Sequence, residues 1–480
     1  MQSLLKLIPL LLLCLYGLRP RCQQTLSPSQ LQEDYSIFVC ALREAHPGLY
    51  RYTSKESMDS LFRITGQQLQ TPRTTESFYQ LLAPVVASIR CGHTKWHREG
   101  RPDDPFPFRQ QGLLPVRLYF EGDRAFVRSA YTAQTAPAPG TEILRINGRT
   151  TQSLLQQLGR VVPVDGHVNS AFYDEMNRNF SGYYASFIGT SGQFSFEFRQ
   201  GSKIRTMVLP SVDLAAIQKW ELQSKRTAEK SFRLRLADKN TAVMNITQFF
   251  ARPGDPDYHR FLDSSFQFLK SNNISSLILD LRNNEGGIEE WGGLLYSYLA
   301  DGPFTYYDKI RVAQKEEFSF RKYAWLPEQY DGARSLIVEK DGAFYWTHQE
   351  YLKPKEPQPN AFKGQVFLLL NGTSFSVTTE FSAVVRDHTN AIIMGQESGG
   401  AYEGDNSGVF TSVTLPNSKL TVGIPLFGFY MKVSEREKGR GILPHHTIPT
   451  SINDILTGRD PVMEAALKLA SKKQDRLSTR

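Results

Sequence analysis

The stretch "LLLNGTSFSVTTEFSAVVRDHTNAIIMGQESGG" (Leu368–Gly400) decides the fold class of this 480-residue chain. One apolar run predicts a buried β-strand, a polar turn leads into an amphipathic helix, and a second apolar run predicts another strand. Apolar strands that alternate with helices are typical of a parallel sheet covered on both faces. A serine at such a strand–helix turn can be a nucleophile, and ordinary helix capping is the alternative. The turn and the helix start carry five hydroxyl side chains, those of Thr373, Ser374, Ser376, Thr378 and Thr379.

The same alternation of strands and helices begins near residue 235 and includes a second junction of this kind. The segment "ISSLILDLRNNEGG" (Ile274–Gly287) is an apolar strand that ends in two glycines, and the helix "IEEWGGLLYSYLA" (Ile288–Ala300) follows it. Glycines let backbone N–H groups approach a ligand closely, and a helix start adds the positive end of its dipole. Gly286 and Gly287 are therefore candidate oxyanion-hole donors, for which an ordinary tight turn is the alternative.

Two regions with other periodicities precede this alternation. Residues 28–90 repeat apolar positions every three or four residues, which predicts helices. Residues 113–210 alternate apolar and polar side chains around turn signals, which predicts hairpins. Within them, "PGTEILRINGRTTQSLLQQL" (Pro139–Leu158) predicts a turn, a strand, a turn and a helix. A small helical domain and a β-rich domain are expected, and a β-rich spacer is the alternative to the latter.

Composition and charge exclude some classes of partner. The chain has 56 basic and 48 acidic residues, a net charge of +8, and no dense basic patch with interleaved aromatics. We therefore expect no nucleic-acid partner. Residues 1–23 carry the short apolar run of a secretory signal peptide, and no later segment is apolar enough to predict a stable membrane span. An exported protein is expected, periplasmic or extracellular. Cys22 is a candidate lipid-anchor site, although the residues before it are not small and apolar.

The cysteines give little sign of a metal site. Cys40 and Cys91 could pair in an oxidising compartment or stay as two separate thiols. Neither lies in a CxxC or Cys/His spacing typical of zinc, and "AYEGDNSG" (Ala401–Gly408) lacks the ordered spacing of a calcium loop. The sequence therefore predicts no metal and no cofactor.

The two junctions together, about 90 residues apart, resemble those of the tail-specific, or C-terminal processing, serine peptidases and their tricorn-core and retinoid-binding relatives. The resemblance extends to "CGHT" (Cys91–Thr94) and to the late "GRGILPHHTIPTSINDILTGRDPVMEAAL" (Gly439–Leu467). The β-rich region resembles a PDZ-type module. The resemblance implies an α/β, multidomain fold with an N-terminal helical cap, a PDZ-like β-rich domain and a C-terminal α/β (crotonase/ClpP-like) peptidase core. The expected bounds are 1–23 for the signal peptide, 24–105 for the helical domain, 106–212 for the PDZ-like domain, 213–472 for the catalytic domain and 473–480 for a basic tail.

The family pattern also implies the identity of the site residues. Ser376 has Phe381 at +5 and Asp387 at +11, which matches the register of the family nucleophile. The lysine base of the Ser-Lys branch is missing, because its position holds Ala401. The tricorn-like branch instead uses an N-terminal histidine, and His93 occupies that position.

Further site residues stay open at this point. A glutamate about 60 residues after the serine orients the histidine in the tricorn-like branch, and Glu435 or Glu437 would take this part. His445 and His446 are alternative bases, for which a surface turn is the simpler interpretation. The oxyanion hole would use Val377 with Gly286 or Gly287.

The expected function is that of an exported serine-type endopeptidase whose substrate is a protein or peptide. A PDZ-like domain would help engage the substrate, and no cofactor would be needed. The missing lysine supports an alternative, a catalytically inactive peptidase-fold protein that binds peptides or apolar ligands. An esterase using the same serine is a third possibility, because the nucleophile chemistry is shared.

Overall fold

The computed structural model describes residues 25–98, 108–132, 136–224 and 230–478. The expected signal peptide and Cys22 lie outside these residues. Within them, no helix combines the length and the apolar character that a bilayer crossing requires.

The N-terminal segment is helical, as predicted, but it ends in a strand. Helix formation starts at a capping box, in which the Gln30 N–H donates to the Ser27 hydroxyl and the Ser27 N–H donates to the Gln30 side-chain oxygen. The apolar faces of the helices pack into the same hydrophobic core as the C-terminal region. The elements are β1 (Thr25–Leu26), α1 (Pro28–Ala45), α2 (Lys55–Gln67), β2 (Arg73–Thr74), α3 (Thr75–Ser88) and β3 (Lys95–Arg98).

The second region has a hydrophobic core of its own and a sheet in the order β4-β5-β6-β8-β9, with β7 paired to β6. Both expected hairpins form, and so does the helix that follows the Asn-Gly turn. The residues between that helix and the closing hairpin form a further long helix. The elements are β4 (Val116–Glu121), β5 (Arg124–Ala130), β6 (Glu142–Ile146), β7 (Arg149–Thr150), α4 (Thr151–Leu158), α5 (Asn169–Phe187), β8 (Gln193–Gln200) and β9 (Lys203–Pro210). Its classification as PDZ-like stays a prediction.

The C-terminal region contains the predicted strand–helix alternation, together with strands that the sequence did not reveal. Short 3-10 turns connect some of its elements. Its helices are α6 (Leu214–Ser224), α7 (Tyr258–Ser271), α8 (Glu289–Ser297), α9 (Glu328–Gly332), α10 (Val377–His388), α11 (Ile452–Thr457) and α12 (Pro461–Ser478). Its strands are β10 (Phe232–Leu236), β11 (Thr241–Ile246), β12 (Ser276–Asp280), β13 (Tyr307–Val312), β14 (Ala324–Trp325), β15 (Ile337–Lys340), β16 (Ala343–Trp346), β17 (Gln365–Leu370), β18 (Ile392–Gly395), β19 (Asn406–Thr414), β20 (Leu420–Met431) and β21 (His446–Thr447).

The predicted parallel sheet has the order β10-β11-β12-β17-β18-β21, and its strands are parallel except for β10. Alternate side chains of β12 and β17 belong to different cores. Leu277 and Leu279 pack into the main core, while Ile278 and Phe367 pack against α12 on the other face. Burial on both faces explains why these strands are continuously apolar. The prediction of an α/β fold with a multidomain chain is confirmed.

The sequence did not reveal the second sheet of the C-terminal region, which is largely antiparallel. Its order is β14-β19-β20-β13-β16-β15, and β3 pairs with β20. The register places Lys95 opposite Gly423 and Trp96 opposite Val422. The helical segment thus ends in β3, a strand of this antiparallel sheet. The pairing of β3 with β20 anchors the turn before it, which carries His93.

Candidate active site

The two strand–helix junctions lie side by side because β12 and β17 are parallel neighbours. The loops that follow them are tied by side chains. The Asn283 N–H donates to the Asn371 side-chain oxygen at 2.9 Å, and the Asn371 amide donates back to the Asn283 oxygen at 2.9 Å. The Phe375 N–H donates to the Asn284 carbonyl at 3.0 Å. The site is therefore built where two parallel strands end, as α/β folds favour.

The hydroxyl groups of the turn between β17 and α10 differ in their hydrogen bonds. Ser374 is fully buried and its hydroxyl donates to the Leu281 carbonyl at 3.0 Å. The Thr379 hydroxyl donates to the Ser374 carbonyl at 2.9 Å, and the Thr373 hydroxyl donates to Asp174 at 2.9 Å. These three side chains brace the turn, and their engagement makes them unsuited to nucleophilic attack.

Ser376 differs from its neighbours in backbone conformation. Its φ of 57° and ψ of −130° are sparsely populated by residues other than glycine. It precedes α10, yet its side chain makes no capping hydrogen bond. Such a strained turn holds a serine hydroxyl away from the sheet, as a nucleophile elbow does.

Gly286, the first glycine of the pair, lies directly against this serine. A Cβ atom added to Gly286 would lie 2.8 Å from the Ser376 Cβ and 3.0 Å from the Val377 nitrogen. The Gly286 N–H is engaged, because it donates to the Asn284 side chain at 2.9 Å. Gly287 is exposed. In the part of the chain that the structure describes, no backbone hydrogen bond engages the N–H of Gly287 or Val377. The geometry therefore favours Gly287 over Gly286 as the partner of Val377.

His93 reaches the same turn from the N-terminal segment, between α3 and β3. Its ring stacks on the ring of Phe375, the residue before Ser376, with 4.4 Å between centroids. Its Nδ1 lies 4.0 Å from Oδ2 of Asp405, in the loop before β19. The structure thus brings His93 to the nucleophile turn and places a buried carboxylate behind it.

Buried hydrogen bonds hold the Asp405 loop in position. The Arg51 guanidinium donates to the backbone carbonyls of Asp405 and Phe429 at 3.1 Å and to that of Glu403 at 3.0 Å. The Ser407 hydroxyl donates to Asp405 Oδ1 at 2.6 Å. Oδ2 is thereby left facing His93. The sequence analysis missed Asp405, which stands in the segment that was examined only for a calcium loop.

The structure does not bring Glu435 or Glu437 against His93. Both side chains are exposed, and the Glu437 carboxylate lies 3.8 Å from Arg440. Both glutamates lie at the expected distance from Ser376 along the chain. That distance does not reveal which carboxylate, in the loop after β18 or the loop after β20, points toward the interior. Asp387, the residue at +11 in the family pattern, accepts the Ser434 N–H at 2.8 Å.

The alternative histidines lie at another edge of the sheet. His445 Nδ1 accepts the Ile393 N–H at 2.9 Å, and its other nitrogen contacts Arg386. His446 is exposed and pairs with Met394 of β18. These contacts favour a structural part for both histidines.

The cysteines remain separate thiols. Cys91 is buried and Cys40 is partly exposed. The Cys40 thiol donates to Glu44 at 2.9 Å. Burial raises the pKa of Cys91 to about 12, so its thiol is protonated at neutral pH and is no rival to Ser376 as nucleophile.

A cleft adjoins the nucleophile turn where the three regions of the chain meet. Its volume is about 210 Å³. Tyr79 of α3, Trp96 of β3, Tyr183 of α5 and Phe375 supply aromatic walls, and Arg178 of α5 adds a charged group. The Arg178 guanidinium also pairs with Glu285, next to the paired glycines. The lining also carries the charged side chains of Lys95, Glu175 and Glu285, and a cleft that combines aromatic walls with polar groups can hold a ligand.

The comparisons with known proteins agree with this architecture. Residues 240–448 match the model of peptidase family S41. Mature CPAF superposes with a TM-score of 0.60 at 17% sequence identity, covering 89% of this chain and 94% of that chain. Mature CPAF complexed with lactacystin superposes with a TM-score of 0.61 at 16% identity, covering 94% of this chain and 97% of that chain. The comparison with curated proteins gave no match.

The resemblance inferred from the two junctions is therefore confirmed. The matched residues include β11, β12, β17 and β18 with both loops of the site, and the likeness to CPAF extends the shared fold over most of the chain. The expectation of a hydrolase that acts as a serine peptidase is confirmed with it. Over residues 240–448, the chain is thus similar to peptidase family S41.

Proposed function

We propose that the protein is an exported endopeptidase in which Ser376 is the nucleophile, His93 the general base and Asp405 the carboxylate that orients it. One observation supports this most directly. Ser376 is held in a strained, uncapped turn beside Gly286, and His93 stacks on the preceding residue, Phe375. Strain of this kind is concentrated at functional sites.

The proposed reaction follows from these positions. His93 takes the proton of the Ser376 hydroxyl as its oxygen attacks a peptide carbonyl, and later returns a proton to the leaving amine. The N–H groups of Gly287 and Val377 stabilise the tetrahedral oxyanion, and losing one such donor typically lowers kcat by about 10²–10³. Water then hydrolyses the ester to regenerate the serine. Asp405 stabilises the imidazolium that forms during transfer.

We assign the orienting carboxylate to Asp405, whereas the spacing of the family pattern implied Glu435 or Glu437. Its Oδ2 is buried and lies 4.0 Å from the His93 ring, while Glu437 is exposed and faces Arg440. A charge is worth more to a neighbouring imidazolium where water is excluded. The proposal therefore predicts a larger loss of activity for Asp405→Asn than for Glu437→Gln or Glu435→Gln.

A fluorophosphonate probe and a fluorogenic protein substrate test the proposal. Wild type should be labelled and active, while Ser376→Ala should lose both properties. His93→Ala and Asp405→Asn should lower kcat/KM by about 10²–10⁴, and both glutamate variants should stay close to wild type. A folded wild type that neither labels nor hydrolyses substrate would favour the inactive binding protein. Activity lost in Glu437→Gln but kept in Asp405→Asn would reject the assignment of Asp405.

A further inference from the structure

A cluster of metal-ligating groups surrounds the His93 ring. One ligand atom each of Cys91, His93 and Asp165 lies within 4.8 Å of the other two. Asp405 adds a fourth group, because its Oδ2 is 4.0 Å from His93 Nδ1. These residues come from three places in the chain: the turn before β3, the loop between α4 and α5, and the loop before β19.

Two carboxylate oxygens in this cluster accept no hydrogen bond within the described residues. Asp165 is 1% exposed, and its Oδ1 accepts the Gly92 N–H at 2.7 Å. Asp405 is 3% exposed, and its Oδ1 accepts the Ser407 hydroxyl. The Oδ2 atoms of both aspartates are buried and make no hydrogen bond within the described residues. Buried polar oxygens are normally satisfied, and unpaired buried charge is costly. A cation between them would remove that cost.

We propose that Cys91, His93, Asp165 and Asp405 bind a Zn²⁺ ion and that this ion switches the peptidase off. The switch rests on the proposed function, because it acts through the base His93. One sulfur, one imidazole nitrogen and two carboxylate oxygens make a donor set that suits zinc in four-coordination. Bond lengths of about 2.0–2.3 Å place neighbouring ligand atoms roughly 3.3–3.8 Å apart. The ligand atoms of Cys91, His93 and Asp165, which lie within 4.8 Å of one another, would have to contract by about 1 Å, and Asp405 Oδ2 would have to close on the ion from 4.0 Å beyond His93 Nδ1.

Zinc binding would remove the basicity that catalysis needs. The Cys91 thiol loses its proton to solvent and binds as thiolate, and His93 gives the Nδ1 lone pair to the metal. The single proton of the neutral ring then lies on Nε2, which therefore has no lone pair left to act as a base. An imidazole in this form cannot accept the Ser376 proton. When a chelator removes the ion, the ring proton can move to Nδ1, so that Nε2 again accepts the Ser376 proton and activity returns.

Binding can be measured without any catalysis in the full-length Ser376→Ala protein. Titration with Co²⁺ should give a thiolate-to-cobalt charge-transfer band, and equilibrium dialysis should give one Zn²⁺ per chain. Adding Cys91→Ser should abolish the band, while Cys40→Ser, the matched control on the other free thiol, should keep it. Asp165→Asn retains an acceptor for the Gly92 N–H and should weaken Zn²⁺ affinity at least tenfold. A thermal melt checks that each variant is folded.

The effect on activity is measured in metal-free wild type. Stoichiometric Zn²⁺ should stop hydrolysis, the chelator should restore it, and the Asp165→Asn enzyme should need at least ten times more metal for the same fractional inhibition. Hydrolysis that is insensitive to bound Zn²⁺ would overturn the switch. Absence of both the charge-transfer band and stoichiometric binding in folded protein would overturn the metal site and leave the peptidase proposal intact. Metal binding by a wild type that is inactive when metal-free would instead reject the proposed function.

Discussion

Replacing Gly287 by alanine tests the geometry of the site at its most constrained point. The φ of Gly287 is +146°, a conformation that residues with a Cβ rarely adopt. An added Cβ would lie 2.6 Å from the Phe249 carbonyl carbon and still closer to its oxygen. The loop cannot easily retreat. The Phe249 N–H donates to the Gly286 carbonyl at 2.8 Å, and the Ile288 N–H donates to the Phe249 carbonyl at 2.8 Å.

The size of the effect follows from these contacts. To admit the Cβ, the loop must move away from Phe249, which weakens both hydrogen bonds. Two backbone hydrogen bonds contribute about 1 kcal/mol each, and overpacking costs about 1–3 kcal/mol. We therefore expect the free energy of unfolding to fall by roughly 3–5 kcal/mol. The displaced N–H no longer faces the oxyanion, so kcat should fall by about 10²–10³.

Urea unfolding and steady-state kinetics on a fluorogenic peptide measure the two effects. Gly302→Ala is the matched control, because a Cβ at Gly302 meets no atom within 4 Å; its unfolding midpoint and kcat should equal those of wild type. If Gly287→Ala also leaves both quantities unchanged, the reasoning about this loop and the oxyanion hole is refuted.

Three further predictions concern stability. Arg51→Met should lower the free energy of unfolding by about 3 kcal/mol, because the buried carbonyls of Glu403, Asp405 and Phe429 lose their donor; an unchanged urea midpoint would contradict this. Hydrogen bonds from Arg282 lower the pKa of the half-exposed Asp460. Its stabilisation is present above the unfolded-state pKa and is lost as the pH falls through the folded-state pKa. Asp460→Asn should thus cost about 1 kcal/mol at pH 7 and progressively less as the pH falls through the folded-state pKa. Burial raises the pKa of Glu380 well above its usual value, so folding favours the protonated form and stability falls as the pH rises; Glu380→Gln should flatten that fall between pH 5 and 8, and an unaltered slope in thermal melts would reject it.

Local pattern was enough to predict the framework of the site. The strands β12 and β17 are continuously apolar because both their faces are buried, and the glycines and hydroxyl residues that follow them mark the junctions. Ser376 and His93 could be named because the family pattern fixes their positions relative to those junctions. The antiparallel sheet was missed because its strands pair over long distances, as β3 does with β20, and no local turn signal reveals such pairing.

The distance along the chain could not identify the carboxylate that we propose orients His93. Glu437 stands at the expected distance along the chain, yet its side chain is exposed, whereas Asp405 is drawn inward by the Arg51 contacts with its loop. The amino-acid sequence by itself determined the α/β class and the two junctions, since these depend on neighbouring residues and on strand periodicity, and the family pattern predicts Ser376 as the nucleophile. Only the tertiary structure decided that Asp165 and Asp405 lie around Cys91 and His93. These contacts depend on how segments far apart in the sequence pack, and short-range pattern carries no record of that packing.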